Sequence, residues 1–154
     1  MDKVLFIGDP HLDNRTPVSR MDDYAVTTIA KLRAVLVLAQ GQGIKHVVFT
    51  GDVFHRYEVT IAYLTEIIKV LKEFREAGIK VWSIVGNHDI PHNNMSYFKT
   101  TPLSLLFHSG LVNWLDRGNP ILLKKTIISG LSFTQNVDRY DGFKDLFPDL
   151  KRVL

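Results

Sequence analysis

The 154-residue chain contains no cysteine. That excludes a disulfide framework, a thiolate zinc site and a cysteine nucleophile, and it is compatible with a reducing cytosol. No apolar run approaches the roughly 18 residues that span a bilayer. Met1-Asp2-Lys3 leads into a run of four apolar residues, far too short for the hydrophobic region of a secretory signal. No block of like charge stands out; Lys124-Lys125 and Lys151-Arg152 come nearest, and pairs that short read as solvated surface. Internal repeats and low-complexity tracts are missing too. What is present is ordinary for a globular domain: 45% hydrophobic, 23% charged, net charge +3. One domain of this length buries a real core. So mild a positive excess permits a polyanionic partner without demanding one.

Strand and helix patterns alternate through the first ninety residues. Residues 4–7 read as a buried strand. Residues 21–40 read as a helix, with Ala25, Ile29, Leu32, Leu36 and Ala39 at helical spacing and Gly41 and Gly43 to stop it. A strand over 46–50 and a helix over 60–77 follow. The helix has Ile61, Leu64, Ile68, Leu71 and Phe74 on one stripe, Thr60 as N-cap and Gly78 just past its end. Residues 80–85 make a third strand. This βαβαβ order predicts an α/β fold with a parallel sheet. Residues 91–101 read as a polar loop and 102–108 as a short helix. A meander of short runs over 111–115, 121–123, 126–129 and 131–133 comes next, with turns at Arg117-Gly118-Asn119-Pro120 and Gly130. A short amphipathic stretch around Phe143, Leu146 and Phe147 precedes Lys151-Arg152-Val153-Leu154, which resembles the entry to another strand. The chain therefore reads as part of a larger fold.

Each of the first three strands ends in a glycine followed by hard-ligand chemistry: Gly8-Asp9-Pro10-His11, Gly51-Asp52-Val53-Phe54-His55 and Gly86-Asn87-His88-Asp89. Ligands of open parallel sheets bind beyond the carboxyl ends of the strands, so these side chains are expected to converge there. The glycines suit a sharp exit with close backbone approach. A carboxylate such as Asp52 can bridge two cations about 3.5–4 Å apart. Mixed Asp, His and Asn ligation suits Mn²⁺, Fe²⁺ or Zn²⁺ more than Ca²⁺. Any one Asp after a strand is most simply a turn residue or helix cap. Three such clusters in this order are not.

These motifs resemble the D-x-H, G-D and G-N-H-[DE] signature of the calcineurin-like metallophosphoesterases. Residues 1–154 would be the N-terminal part of such a domain, whose complete architecture is a four-layer α/β/β/α sandwich. The resemblance implies that Asp9 and His11 ligate a first metal, Asp52 bridges, and Asn87 ligates a second. His88 would contact the scissile phosphate and help protonate the leaving oxygen. His55, three residues after Asp52, and Gly86-Asn-His-Asp-Ile-Pro91 are most similar to DNA-repair nucleases of the SbcD type and their phage recombination counterparts. That subgroup implies an Mn²⁺-dependent exo- and endonuclease using two divalent ions, with Fe²⁺ or Zn²⁺ as alternatives. It would work in the cytoplasm of a bacterium or phage-infected cell, with an SMC-like ATPase of the SbcC type and often as a homodimer. His55 would position DNA or support the transition state.

The family also draws ligands from a later strand-end histidine and a G-H-x-H motif, and neither is visible here. His46 begins a strand, at the wrong end; His92 lies beside the expected site and could reach it; His108, near a helix end, reads as structural. Arg15, Arg20 and Arg56 lie on flanking loops where they could hold phosphates, contacts that position DNA without reading it. Tyr57, Tyr97 and Phe98 could stack on a frayed base. Two other readings stand beside the nuclease. One is a phosphoesterase acting on phosphoprotein or nucleotides. The other is a catalytically weak interaction module that lacks part of its metal shell.

Overall fold

In the computed structural model, which describes residues 3–116 and 119–133, the predicted apolar runs become strands of one parallel sheet. They are β1 (Val4–Ile7), β2 (His46–Phe49), β3 (Lys80–Ser83) and the two-residue β4 (Asn113–Trp114), ordered β1-β2-β3-β4. Ile7, Phe49 and Ser83 are level with one another. Residues 8, 50 and 84 therefore leave the sheet side by side, which is what brings the three motifs to one edge.

Both faces of the sheet are covered. Val47, Phe49 and Val81 pack with helices α1 (Tyr24–Gly41) and α2 (Ile61–Glu76), while Val48 and Trp82, one residue out of phase, pack with Leu115 and Ile121. The second cluster is completed by an antiparallel hairpin, β5 (Ile121–Leu122) and β6 (Ile127–Ile128). Strands buried on two sides explain the continuous apolar runs. Each fully buried side chain such as Phe49, Ile67 or Phe74 contributes about 1.5–3 kcal/mol of transfer free energy.

The helices match the expectation in existence and differ in detail. α1 starts at Tyr24 rather than residue 21, because the Asp23 side chain accepts from the Val26 N–H and sets the cap. Its buried positions are Thr28, Ile29, Leu32, Leu36 and Ala39, with Ala25 only partly covered. In α2 the Thr60 cap is as predicted, accepting from Tyr63 N–H, and Gly78 takes a left-handed φ of 67°. The buried face, however, is Tyr63, Ile67, Val70, Leu71 and Phe74, while Ile61 is 84% exposed. The run Ile67-Ile68-Lys69-Val70-Leu71 offers two overlapping stripes. A buried hydrogen bond of 2.7 Å between Tyr63 Oη and Thr28 Oγ1 ties α2 to α1 on the stripe that carries Tyr63.

The predicted loop over 91–101 contains two 3₁₀ turns, Pro91–Asn93 and Met95–Thr100. Asn94 caps the second of them and Thr101 caps α3 (Pro102–His108). Of the expected run over 111–115 only Asn113–Trp114 pairs, and 131–133 forms no strand, although Phe133 N–H bonds the Val85 carbonyl at 2.7 Å. The amphipathic stretch near Phe143 and the run ending at Leu154 lie outside the described residues, as do 117–118 within the predicted turn. Among the described residues no helix is long and apolar enough to cross a membrane.

Candidate metal centre

Three backbone hydrogen bonds join the turn after β1 to the turn after β2: His11 N–H to Asp52 O (3.1 Å), Leu12 N–H to Val53 O (2.8 Å) and His55 N–H to Leu12 O (3.1 Å). Leu12 and Phe54 form a parallel bridge, so pairing resumes beyond the sheet proper. The path that allows this is locally strained. Asp9, His11 and Asp52 have φ of 41°, 46° and 45°, a left-handed region that non-glycine residues rarely adopt and that clusters at functional sites.

The glycines of the three motifs are not equivalent. Gly51 has φ of 97°, and a Cβ there would lie 3.2 Å from Gly86 Cα. Gly86 is required by space alone, since a Cβ would overlap the carboxylate and backbone nitrogen of Asp52. Gly8 meets neither condition: its nearest neighbour would be Thr50 Oγ1 at 3.9 Å, and its φ is not left-handed. The expectation of a glycine-dependent exit therefore holds at two strands and fails at the first.

The buried Asp89 carboxylate locks the turn after β3 to the turn after β2. It accepts from Phe54 N–H (2.9 Å), Gly86 N–H (2.9 Å) and Val53 N–H (3.3 Å). Burial pushes its pKa up to about 6, against the lowering effect of the three N–H donors. In the sequence, the place of Asp89 at the end of Gly86-Asn87-His88-Asp89 is the one signal of this role. Asp13, also buried, is not among the residues expected at the site from the sequence. It accepts from Arg15 N–H and pairs with Arg56 Nε at 3.4 Å.

This framework gathers three imidazoles, one from each turn. Ligand atoms of His11, His55 and His88 lie within 4.8 Å of one another. Ring centroids are 4.9 Å apart for His11–His88, 5.3 Å for His11–His55 and 5.4 Å for His55–His88. His11 Nδ1 and His55 Nδ1 are 3.3 Å apart, close to the spacing of nitrogens around one tetrahedral cation, about 3.3 Å for bonds of 2.0–2.1 Å. Burial lowers the pKa of His55, and the neighbouring His11 lowers it further. Imidazole nitrogens so disposed can serve a divalent cation or a phosphate held beside it. His88 Nδ1 is 2.8 Å from the His55 carbonyl oxygen. A carbonyl only accepts, so Nδ1 carries the proton and Nε2 is left for the site. His88 N–H also donates to Asp52 Oδ1 at 2.9 Å, bringing that carboxylate beside the histidines.

Asp9 and Asn87 stand exposed on the turns after β1 and β3. The arginines expected to hold phosphate are differently placed. Arg20 makes a two-pronged pair with Asp22 at 2.8 and 2.7 Å and lies over the Tyr24 ring. Arg56 is paired with Asp13, and Arg15 is exposed. His92 lies outside the three-histidine cluster, near Tyr57 and Tyr97. Phe98 is buried against Phe107 and Trp114, so it is not exposed for stacking. At the opposite end of the sheet His46 accepts from Trp82 Nε1. His108 bonds the Ser104 carbonyl one turn back in α3, the structural role expected of it.

Comparison with known proteins agrees with this geometry. The model of the calcineurin-like phosphoesterase family matches residues 2–152. The chain is 28% identical over 151 residues to the DNA double-strand break repair protein Mre11 of Sulfurisphaera tokodaii, covering 97% of this chain and 37% of that protein. Against the proteins of the same name from Saccharolobus solfataricus and Archaeoglobus fulgidus, identity is 28% over 142 residues and 30% over 122. These matches cover 90% and 77% of this chain and 35% and 26% of the relatives. The chain thus spans only about a third of the length of the curated relatives it matches. With its three strand-end motifs meeting at one edge of a parallel sheet, the chain belongs to the calcineurin-like phosphoesterase family.

Proposed function

We propose that the protein hydrolyses phosphodiester bonds of DNA with divalent metal, as an exo- and endonuclease subunit of a repair or recombination complex. The observation that carries this reading is the meeting of His11, His55 and His88, one from each motif, beside the Asp52 carboxylate. DNA as substrate is supported by the relatives, whose name places them in double-strand break repair. An SMC-like ATPase partner, a homodimer and a cytoplasmic setting belong to the same proposal.

In this reading Asp9, His11, Asp52 and Asn87 hold the metals, two ions with Mn²⁺ first and Fe²⁺ or Zn²⁺ as alternatives. When bound, such a pair supplies neutralisation of phosphate charge and a water of lowered pKa. His88 keeps its Nδ1 proton on the His55 carbonyl and presents Nε2 to the phosphate, where the imidazolium form donates to the leaving oxygen. His55 lies against His11 and steadies the phosphate from the second turn. Of the arginines, Arg15 is the best placed to meet the DNA backbone, because Arg20 and Arg56 already have acidic partners.

The test is Mn²⁺-dependent cleavage of linear duplex DNA by the full protein, lost in Asp52→Ala. Cleavage that persists in chelator with Asp52 replaced overturns the reading. Faster turnover of a cyclic nucleotide or a phosphopeptide keeps the chemistry and changes the substrate. Metal content divides the roles: His55→Ala and His88→Ala should keep their metal and lose turnover, whereas metal loss would make those histidines ligands.

A further inference from the structure

We propose that Tyr57, His92 and Tyr97 form an aromatic platform that stacks nucleobases of an unpaired strand beside the metal centre. The proposal deepens the nuclease reading and rests on it. Tyr57 follows His55 by two residues and His92 follows His88 by four, so the platform grows out of the same two turns as the imidazole cluster. The His92 ring lies 6.5 Å from Tyr57 at 47° and 6.2 Å from Tyr97 at 77°. His92 is exposed and Tyr97 is 50% exposed, while Tyr57 is half-buried.

The backbone is arranged to present these rings. Pro91 is buried at one end of the segment and Phe98 at the other. Between them His92 and Asn93 take φ of 54° and 53°, two successive left-handed residues, neither of them glycine. Such conformations persist only where the surroundings impose them. Asn94 then caps the Met95–Thr100 turn through Ser96 N–H at 2.9 Å. The result sorts two adjacent aromatics: Phe98 goes into the core, Tyr97 goes out toward His92. Exposed aromatic rings recognise bases irrespective of sequence, because every base has a π-face. The expected ligand is therefore single-stranded or frayed DNA.

The test compares two 12-nucleotide strands of equal charge, oligo-dT and the same backbone made abasic, binding the full protein in Ca²⁺. One stacked base changes affinity by about 5- to 150-fold, so wild type should prefer oligo-dT by at least the lower figure. Tyr97→Ala and His92→Ala should remove most of that preference while binding of the abasic strand stays unchanged. Tyr97→Phe should retain it. Thermal melting shows that each variant is folded. Equal affinity for both strands, or Tyr97→Ala weakening both alike, overturns the platform alone. Failure of both strands and of duplex DNA to bind overturns the DNA reading, and the platform with it.

Discussion

Two glycines in equivalent sequence positions should respond in opposite ways to the same methyl group. Gly8 and Gly86 each follow a strand and precede a motif residue. In Gly86→Ala the new Cβ overlaps Asp52, whose Oδ1 is held by His88 N–H. Neither group is the free end of a flexible side chain, so the two turns must separate. Overpacking of this kind costs about 1–3 kcal/mol, a fraction of the roughly 5–15 kcal/mol that holds a domain folded. The variant should therefore fold, with a lower melting temperature. The functional cost is larger. A displacement on the order of 1 Å in a positioned group reduces turnover by about 100-fold, and Asp52 is the proposed bridge. Calorimetric titration with Mn²⁺ should show weakened binding in Gly86→Ala. In Gly8→Ala the methyl meets only Thr50 Oγ1 at 3.9 Å, and the lost backbone freedom of the unfolded chain should stabilise the protein by about 0.4–1 kcal/mol. Metal binding by Gly8→Ala should equal that of wild type. Wild-type Mn²⁺ affinity in Gly86→Ala, or equal damage from both substitutions, refutes the reasoning.

Asp89→Ala strips the acceptor from three N–H groups at about 1–3 kcal/mol each, and removing a desolvated charge returns part of that. A net loss of roughly 2–4 kcal/mol in urea unfolding is expected, with Trp82 and Trp114 as fluorescent reporters. Thr28→Val should destabilise by about 1–3 kcal/mol because it leaves the buried Tyr63 hydroxyl without its partner. Tyr63→Phe should cost less, since Thr28 Oγ1 still donates to the Tyr24 or Ala25 carbonyl; equal losses in thermal melts would contradict the assignment. Burial raises the Tyr63 pKa to about 12 from 10.0. The folded state resists its ionisation, so stability intact below pH 10 should fall as pH rises from 10 to 12, and Tyr63→Phe should flatten that fall.

The sequence was most legible where chemistry and periodicity coincide. Strands could be read from β-branched runs ending in glycine, and the motif histidines from their place after those runs. Their convergence followed once the strands were taken as parallel neighbours, because registered ends place residues 8, 50 and 84 together. The buried face of α2 could not be read, since Ile67-Ile68 and Val70-Leu71 support adjacent stripes and only the contact with Thr28 chooses between them. Asp89 was opaque for a related reason. Its partners are backbone N–H groups, two of them some 35 residues away at Val53 and Phe54, which leave no mark on side-chain identity. The arginines were legible as charges but not as pairs: Asp22 claims its near neighbour Arg20, and Asp13 claims Arg56 from 43 residues away, which composition does not reveal.

The backbone ladder between the turns after β1 and β2 makes length, more than side-chain chemistry, the constraint on this site. Leu12 and Phe54 pair as if the sheet had not ended. One residue inserted between Gly8 and Leu12, or between Thr50 and Phe54, would shift that pairing and turn His11 or His55 toward the opposite side. Residues 14–22 lie outside the ladder, in the crossing to α1, where added length costs little closure entropy. A protein engineer could splice a tag or a sensor into the second segment and not into the first, although the two are separated by a single residue, Asp13.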